Sequence, residues 1–188
     1  MNEEEVIQLV KENDHAAITK FVEKYKPIVE RLSFQVGVNP KDIADIVQDI
    51  FSTILQKMDR FRHEILSVRV YQITINTAKA YHRKQKREQK LMNQSYQEQK
   101  VSQRYGYYFD KQDHMMLHEC MQGLNTNYKL PLILYYFHDK TYEEIATILK
   151  CKTSTVTTRM LHGKKLLKKS FEQTEAKGGY PHGRKTIG

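Results

Sequence analysis

The chain has 188 residues, 39% hydrophobic and 28% charged, an ordinary balance for a globular protein of one domain or two small ones. No run approaches the ~20 apolar residues of a membrane helix, the acidic start Met1-Asn2-Glu3-Glu4-Glu5 is unlike a secretory leader, and two cysteines, Cys120 and Cys151, are too few for a disulfide framework or a zinc cluster. Reduced thiols in the cytoplasm are expected. The net charge of +9 is unevenly placed: residues 79–104 and 150–188 are strongly basic, and 1–58 and 105–149 are acidic. Two separate basic segments imply two contacts with a polyanion.

Residues 3–35 read as helix, broken or bent at Asn13-Asp14, and Gly37-Val38-Asn39-Pro40 as a turn. From 41 to about 59, Ile43, Ile46, Val47, Ile50, Phe51, Ile54, Leu55 and Met58 recur every three or four residues, which is one apolar stripe on a helix. Its other face carries Asp42, Asp45, Gln48, Asp49, Ser52 and Gln56. Residues 59–67 lack this period and read as a loop. The next helix spans about 68–88, with Val70, Ile73, Ala80 and Tyr81 inward and a basic end. Residues 89–112, poor in aliphatic side chains, form a linker by composition.

Helical pattern returns at 113, with Met116, Leu117, Cys120 and Leu124 on one face, and continues through the apolar segment Tyr128–Phe137 around Pro131. A helix over 141–149, a turn at 150–152 and a helix from 153 to about 173 follow; residues 176–188 are expected to be a disordered tail. With no long β-type alternation, the fold class is all-α. Two small helical domains, 1–88 and 113–175, are joined by a flexible linker.

Residues 141–165 have the pattern of a helix-turn-helix. Thr141 with Glu144 makes a capping box; Ile145, Ala146 and Leu149 point to the core; Thr153 caps the second helix, which Val156 and Met160 anchor. Thr153, Ser154, Thr155, Thr157, Thr158, Arg159 and His162 then remain for DNA, since short polar side chains suit the part of a recognition helix that enters the major groove. Lys164, Lys165, Lys168 and Lys169 would meet phosphate. No P-loop, dinucleotide fingerprint, nucleophile elbow or H-E-x-x-H is present, so no catalytic residue, cofactor or metal is assigned. His114 and His118 share a helix face without clear further ligands and read as solvent-facing.

The helix-turn-helix alone suits any regulator; the first half discriminates. Asp42-Ile43-Ala44-Asp45-Ile46-Val47-Gln48-Asp49-Ile50-Phe51, with Met58-Asp59-Arg60-Phe61-Arg62 after it, resembles the polymerase-binding helix of the extracytoplasmic-function (ECF) group of sigma factors. Ser67–Asn76 and the basic run Arg83-Lys84-Gln85-Lys86-Arg87 resemble that family's next helix, and Tyr142–Arg159 its second DNA-binding domain. The resemblance covers about 5–88 and 113–172. Arg69 stands where the family usually has Trp, Ala80 where an Asp is common, Asn125 where Pro often follows Leu, and Lys150 where the turn often has Gly.

The resemblance implies a transcription initiation factor whose partners are core RNA polymerase (the clamp helices of the largest subunit, and the flap), promoter DNA and an anti-sigma factor. Asp45, Gln48 and Asp49 would dock on the clamp helices. Arg62, His63, Glu64 and Ser67 would line a pocket for a base flipped out of the −10 element. Asn76 matches the family's Asn, and Lys79, His82, Arg83, Lys84, Lys86 and Arg87 would bind phosphates there. The 113–175 domain would read the −35 element. The alternative is a stand-alone helix-turn-helix regulator, which would leave the acidic 42–51 face without a use and would ordinarily be a dimer.

Overall fold

The protein is described by a computed structural model covering residues 3–12, 14–58, 61, 66–92 and 112–176. The helices are α1 (Glu3–Lys11), α2 (His15–Gln35), a 3-10 turn at Pro40–Asp42, α3 (Ile43–Gln56), α4 (Leu66–Met92), α5 (Gln112–Gln122), α6 (Thr126–His138), α7 (Tyr142–Leu149) and α8 (Thr153–Ala176). The expected linker, apart from the ends of α4 and α5, and the tail beyond Ala176, which is the last residue of α8, lie outside the described residues.

Local chemistry sets the boundaries. Asp14 accepts from Ala17 N at 2.9 Å and starts α2. At the other end, Val38 N donates to Ser33 O at 3.0 Å and Gly37 N to Phe34 O at 2.9 Å, a Schellman termination. Gly37 occupies its left-handed position at φ 101°, where a Cβ would be strained. Asn39 then accepts from Lys41 N at 3.1 Å to open the 3-10 turn, and α3 proper begins only at Ile43. The segment expected as loop up to Ser67 is helical from Leu66, and α4 runs past the expected 88 to Met92.

α1–α4 form one bundle. Ile43, Ile46, Val47, Ile50, Phe51 and Ile54 of α3 are buried against α2 and α4. A fully buried aliphatic side chain of this kind contributes about 1.5–3 kcal/mol. Phe21 meets Phe51 edge-on, ring centroids 5.8 Å apart, and Tyr25 at 5.1 Å. Ala80 was expected inside and is exposed; Ala78, on the adjoining face of α4, is the buried alanine.

α5–α8 form the second bundle, around Met121, Leu132, Ile133, Leu134, Ile145, Val156 and Met160. Asn125 accepts from Asn127 N at 2.9 Å and caps α6. In α7, Ile145, Ala146 and Ile148 are buried while Leu149 is only half-buried, a shift of the apolar face from the expected Leu149 to Ile148. Gly163 of α8 is buried against α6: a Cβ there would lie 3.0 Å from Leu132 Cδ1. The two bundles touch, chiefly through α4 and α7, and their buried side chains join in one cluster.

Candidate functional site

Three polar helix faces carry the residues expected to act. On α3, Asp45, Gln48 and Asp49 are all exposed, while Ile46, Val47 and Ile50 between them are buried. Spacings of three and four place the three on one face. Asp42 does not join them, because it accepts from the Tyr81 hydroxyl at 2.7 Å and ties α4 to the start of α3. That bond, after burial, helps hold the Tyr81 pKa up at about 12.

On α4, Asn76, Lys79, Arg83, Lys84, Lys86 and Arg87 are exposed. Asn76, Lys79 and Arg83 fall on one stripe, three and four residues apart. Lys84 pairs with Glu88 at 3.9 Å, an exposed contact of little energetic weight. Ser67 is half-buried in the first turn. Arg62, His63 and Glu64 lie outside the described residues. His82 is exposed as well, and it also makes a contact within its own bundle. Its Nε2 donates to the Val36 carbonyl at 3.1 Å, and burial lowers its pKa. Neutral at pH 7, this imidazole would meet a phosphate without a full positive charge. Arg69, in the position of the family's Trp, donates to Gln72 Oε1 at 3.1 Å and lies over the Phe61 ring at 5.7 Å.

The helix-turn-helix is built by α7 and α8. The expected capping box is present: Glu144 N donates to Thr141 Oγ1 at 3.2 Å and Thr141 N to Glu144 Oε2 at 2.8 Å. The backbone bond from Thr141, chiefly, lowers the Glu144 pKa. Lys150 ends α7 in the left-handed region, φ 53° and ψ 49°. Thr153 is not the cap of α8: the Lys152 carbonyl accepts from Thr155 N and Val156 N at 2.9 and 3.2 Å, so Lys152 holds the cap position.

Val156 and Met160 are buried as anchors. Ser154, Thr157, Thr158, His162, Lys164 and Lys165 are exposed, and Thr153, Thr155 and Arg159 half-buried. The Thr157 and Thr158 hydroxyls donate to the carbonyls of Thr153 and Ser154 at 3.1 and 3.0 Å. Their oxygen lone pairs are left to accept from a base amino group. Lys164 lies over the Tyr135 ring at 5.5 Å. Leu161, missed by sequence reasoning, is 56% exposed on the same stripe as Ser154, Thr157 and Thr158.

Sequence reasoning also missed a polar seam between the bundles. His118, expected to face solvent, is buried with its Nε2 donating to the Gln35 carbonyl at 3.2 Å. His138 Nε2 donates to Gln35 Oε1 at 2.8 Å, and its Nδ1 accepts from the Tyr71 hydroxyl at 3.2 Å. Gln72 Nε2 donates to the Thr147 carbonyl at 3.0 Å, at the end of α7. These groups come from five separate stretches of chain, so no local pattern marks them.

The chain matches the family profile of sigma-70 region 2 over residues 21–88 and that of sigma-70 region 4 over residues 114–167. It is 31% identical over 159 residues to the RNA polymerase sigma factor SigV of Bacillus subtilis, spanning 84% of this chain and 93% of that protein. To the ECF RNA polymerase sigma-E factor of Haemophilus influenzae it is 22% identical over 183 residues, 92% of this chain and 96% of that one. Its fold is similar to that of CnrH solved in complex with the cytosolic domain of CnrY (TM-score 0.69, 14% identity, 89% of this chain and 96% of that chain). It is also similar to the sigma factor RpoE solved in complex with the anti-sigma factor NepR from Bartonella quintana (TM-score 0.68, 20% identity, 82% and 96%). A stand-alone helix-turn-helix regulator has no reason to match through the first bundle, and this chain matches through both. It belongs to the extracytoplasmic-function group of RNA polymerase sigma factors, the alternative initiation factors that direct the polymerase to promoters.

Proposed function

We propose that α3 docks on the clamp helices of the polymerase's largest subunit through Asp45, Gln48 and Asp49, that α4 engages the −10 element and that α8 reads the −35 element. The observation that carries this reading is the clean division of α3. One face is wholly apolar and buried, and the other presents two carboxylates and an amide to solvent. Carboxylates complement a basic helix, and the amide adds directional bonding. Arg62, His63, Glu64 and Ser67 would hold a flipped −10 base, with Asn76 nearby. Lys79, Arg83, Lys84, Lys86 and Arg87 would contact phosphates, each contact adding about −0.7 to −0.9 to the slope of log affinity against log salt. Thr153, Ser154, Thr155, Thr157, Thr158, Arg159 and His162 would face the −35 bases, and Lys164 and Lys165 the backbone.

The same reading places the protein in the cytoplasm with core polymerase, assigns it no catalytic step, and makes an anti-sigma protein that inserts between the bundles a partner. CnrH and RpoE are each solved with another protein bound.

The test is transcription of total genomic DNA by core polymerase reconstituted with this protein, with start sites mapped by sequencing. Wild-type start sites should share paired −10 and −35 motifs. Arg159→Ala should relax preference at one −35 position by about 1–3 kcal/mol and leave the −10 motif intact, and Asn76→Ala the reverse. An unchanged −35 motif with Arg159→Ala would remove α8 from that role.

A further inference from the structure

The seam joins the bundles through uncharged groups in a largely desolvated place. Gln35, fully buried at the end of α2, receives His138 Nε2 on its side-chain oxygen and His118 Nε2 on its backbone carbonyl. His118 stacks on Phe34 with ring centroids 5.2 Å apart. Tyr71 of α4 donates to His138 Nδ1 and stands edge-on to its ring at 5.3 Å. Both nitrogens of His138 are therefore engaged, and in the neutral ring that burial favours one donates to Gln35 and the other accepts from Tyr71.

The surrounding charges oppose a proton on either ring. His138 faces Arg31 of α2 and Lys140 beyond α6, with Lys140 shared between Glu144 at 3.1 Å and the Tyr71 ring at 5.3 Å. Asp139 and Glu144 also act on Tyr71. His118 faces Lys129 of α6 and the Gln122 amide of its own helix. His82, at the edge of the seam, also feels Lys129. Gln35 Nε2 finds no acceptor among the described residues, which keeps the closed seam from being deeply favourable.

We propose that this seam is a proton-operated latch: the bundles close on each other while His118 and His138 are neutral and part when the two rings take up protons. Burial, then Arg31 and Lys140, lowers the His138 pKa to about 3, and burial, with Lys129, lowers that of His118 to about 4. Both start from 6.5 in water, so closure is at full strength above pH 6.5 and is lost as pH falls from there towards those values. At pH 5.5 the closed form loses about tenfold per histidine relative to pH 7.5, about a hundredfold for the pair. Tyr71, raised to about 12, and Glu144, held below the usual carboxylate value, do not titrate between pH 7.5 and 5.5. Opening frees Gln72, on the same stripe of α4 as Asn76 and Lys79, from the end of α7. That consequence rests on the proposed role of α4; the latch does not.

The test uses the full chain without polymerase, so its failure and that of the promoter reading are separable. Small-angle scattering would follow particle dimensions from pH 7.5 to 5.5, far-UV circular dichroism would follow helicity, and imidazole NMR would follow each histidine. Expansion with unchanged helicity, accompanied by proton uptake at His118 and His138, is expected, and His118→Gln/His138→Gln should hold its dimensions constant across the range. Expansion of that double variant identical to wild type overturns the proposal, as does a wild type that stays compact or that expands only with loss of helix. Should the variant already be open at pH 7.5, the wild-type imidazoles decide: protonation at the pH of expansion sustains the latch, and ordinary titration without expansion ends it.

Discussion

Lys150 closes the first helix of the DNA-reading motif with its backbone in the left-handed region, where a Cβ crowds the following carbonyl. That conformation costs a non-glycine residue about 1–2 kcal/mol, and glycine returns about 0.5–1 kcal/mol of that through its greater unfolded-state entropy. Lys150→Gly should therefore stabilise the protein by about 0.5–1 kcal/mol, read as a higher midpoint in urea with an unchanged slope. A loss of stability would mean the lysine side chain makes a contact worth more than the strain. Single residues of this kind were legible where their chemistry is local. Thr141 and Glu144 announce a capping box three residues apart, and Gly37 a helix stop. Thr153 misled, because a threonine at a helix start reads as a cap, whereas the carbonyl of Lys152 comes first in the bond ladder. His82, His118 and His138 were opaque, since their roles depend on carbonyls and hydroxyls distant in sequence.

At the scale of elements, periodicity located α3 and the helix-turn-helix because apolar stripes are a local property of sequence. It set the start of α4 two residues late and its end four residues early, where Gln, Lys and Arg carry helix without an apolar face to mark it. The close approach of α6 and α8 was also invisible, because a glycine inside a helix usually signals only weakness. Here it admits Leu132, whose Cγ would stand 3.3 Å from a Cβ. Gly163→Val should push α8 from α6 and destabilise the protein by about 1–3 kcal/mol, enough to weaken promoter binding without altering a side chain proposed to face DNA. Chemical denaturation of the full chain checks it; unchanged stability would show that α8 can shift freely.

For the molecule as a whole, the order of two helical bundles was legible, since each has its own apolar pattern and the charge alternates between them. Their closure on one another was not, because Gln35, Tyr71, His118 and His138 meet only in three dimensions. In the proposed docking, the first bundle hands the polymerase a carboxylate-bearing face of α3. The most direct measurement is co-elution with core RNA polymerase on a sizing column, wild type beside Asp45→Arg/Asp49→Arg. Both positions are exposed, so charge reversal should leave the helical fold intact by circular dichroism. Wild type is expected to travel with core and the variant to elute alone; a folded variant that still binds core with undiminished affinity would contradict the docking face.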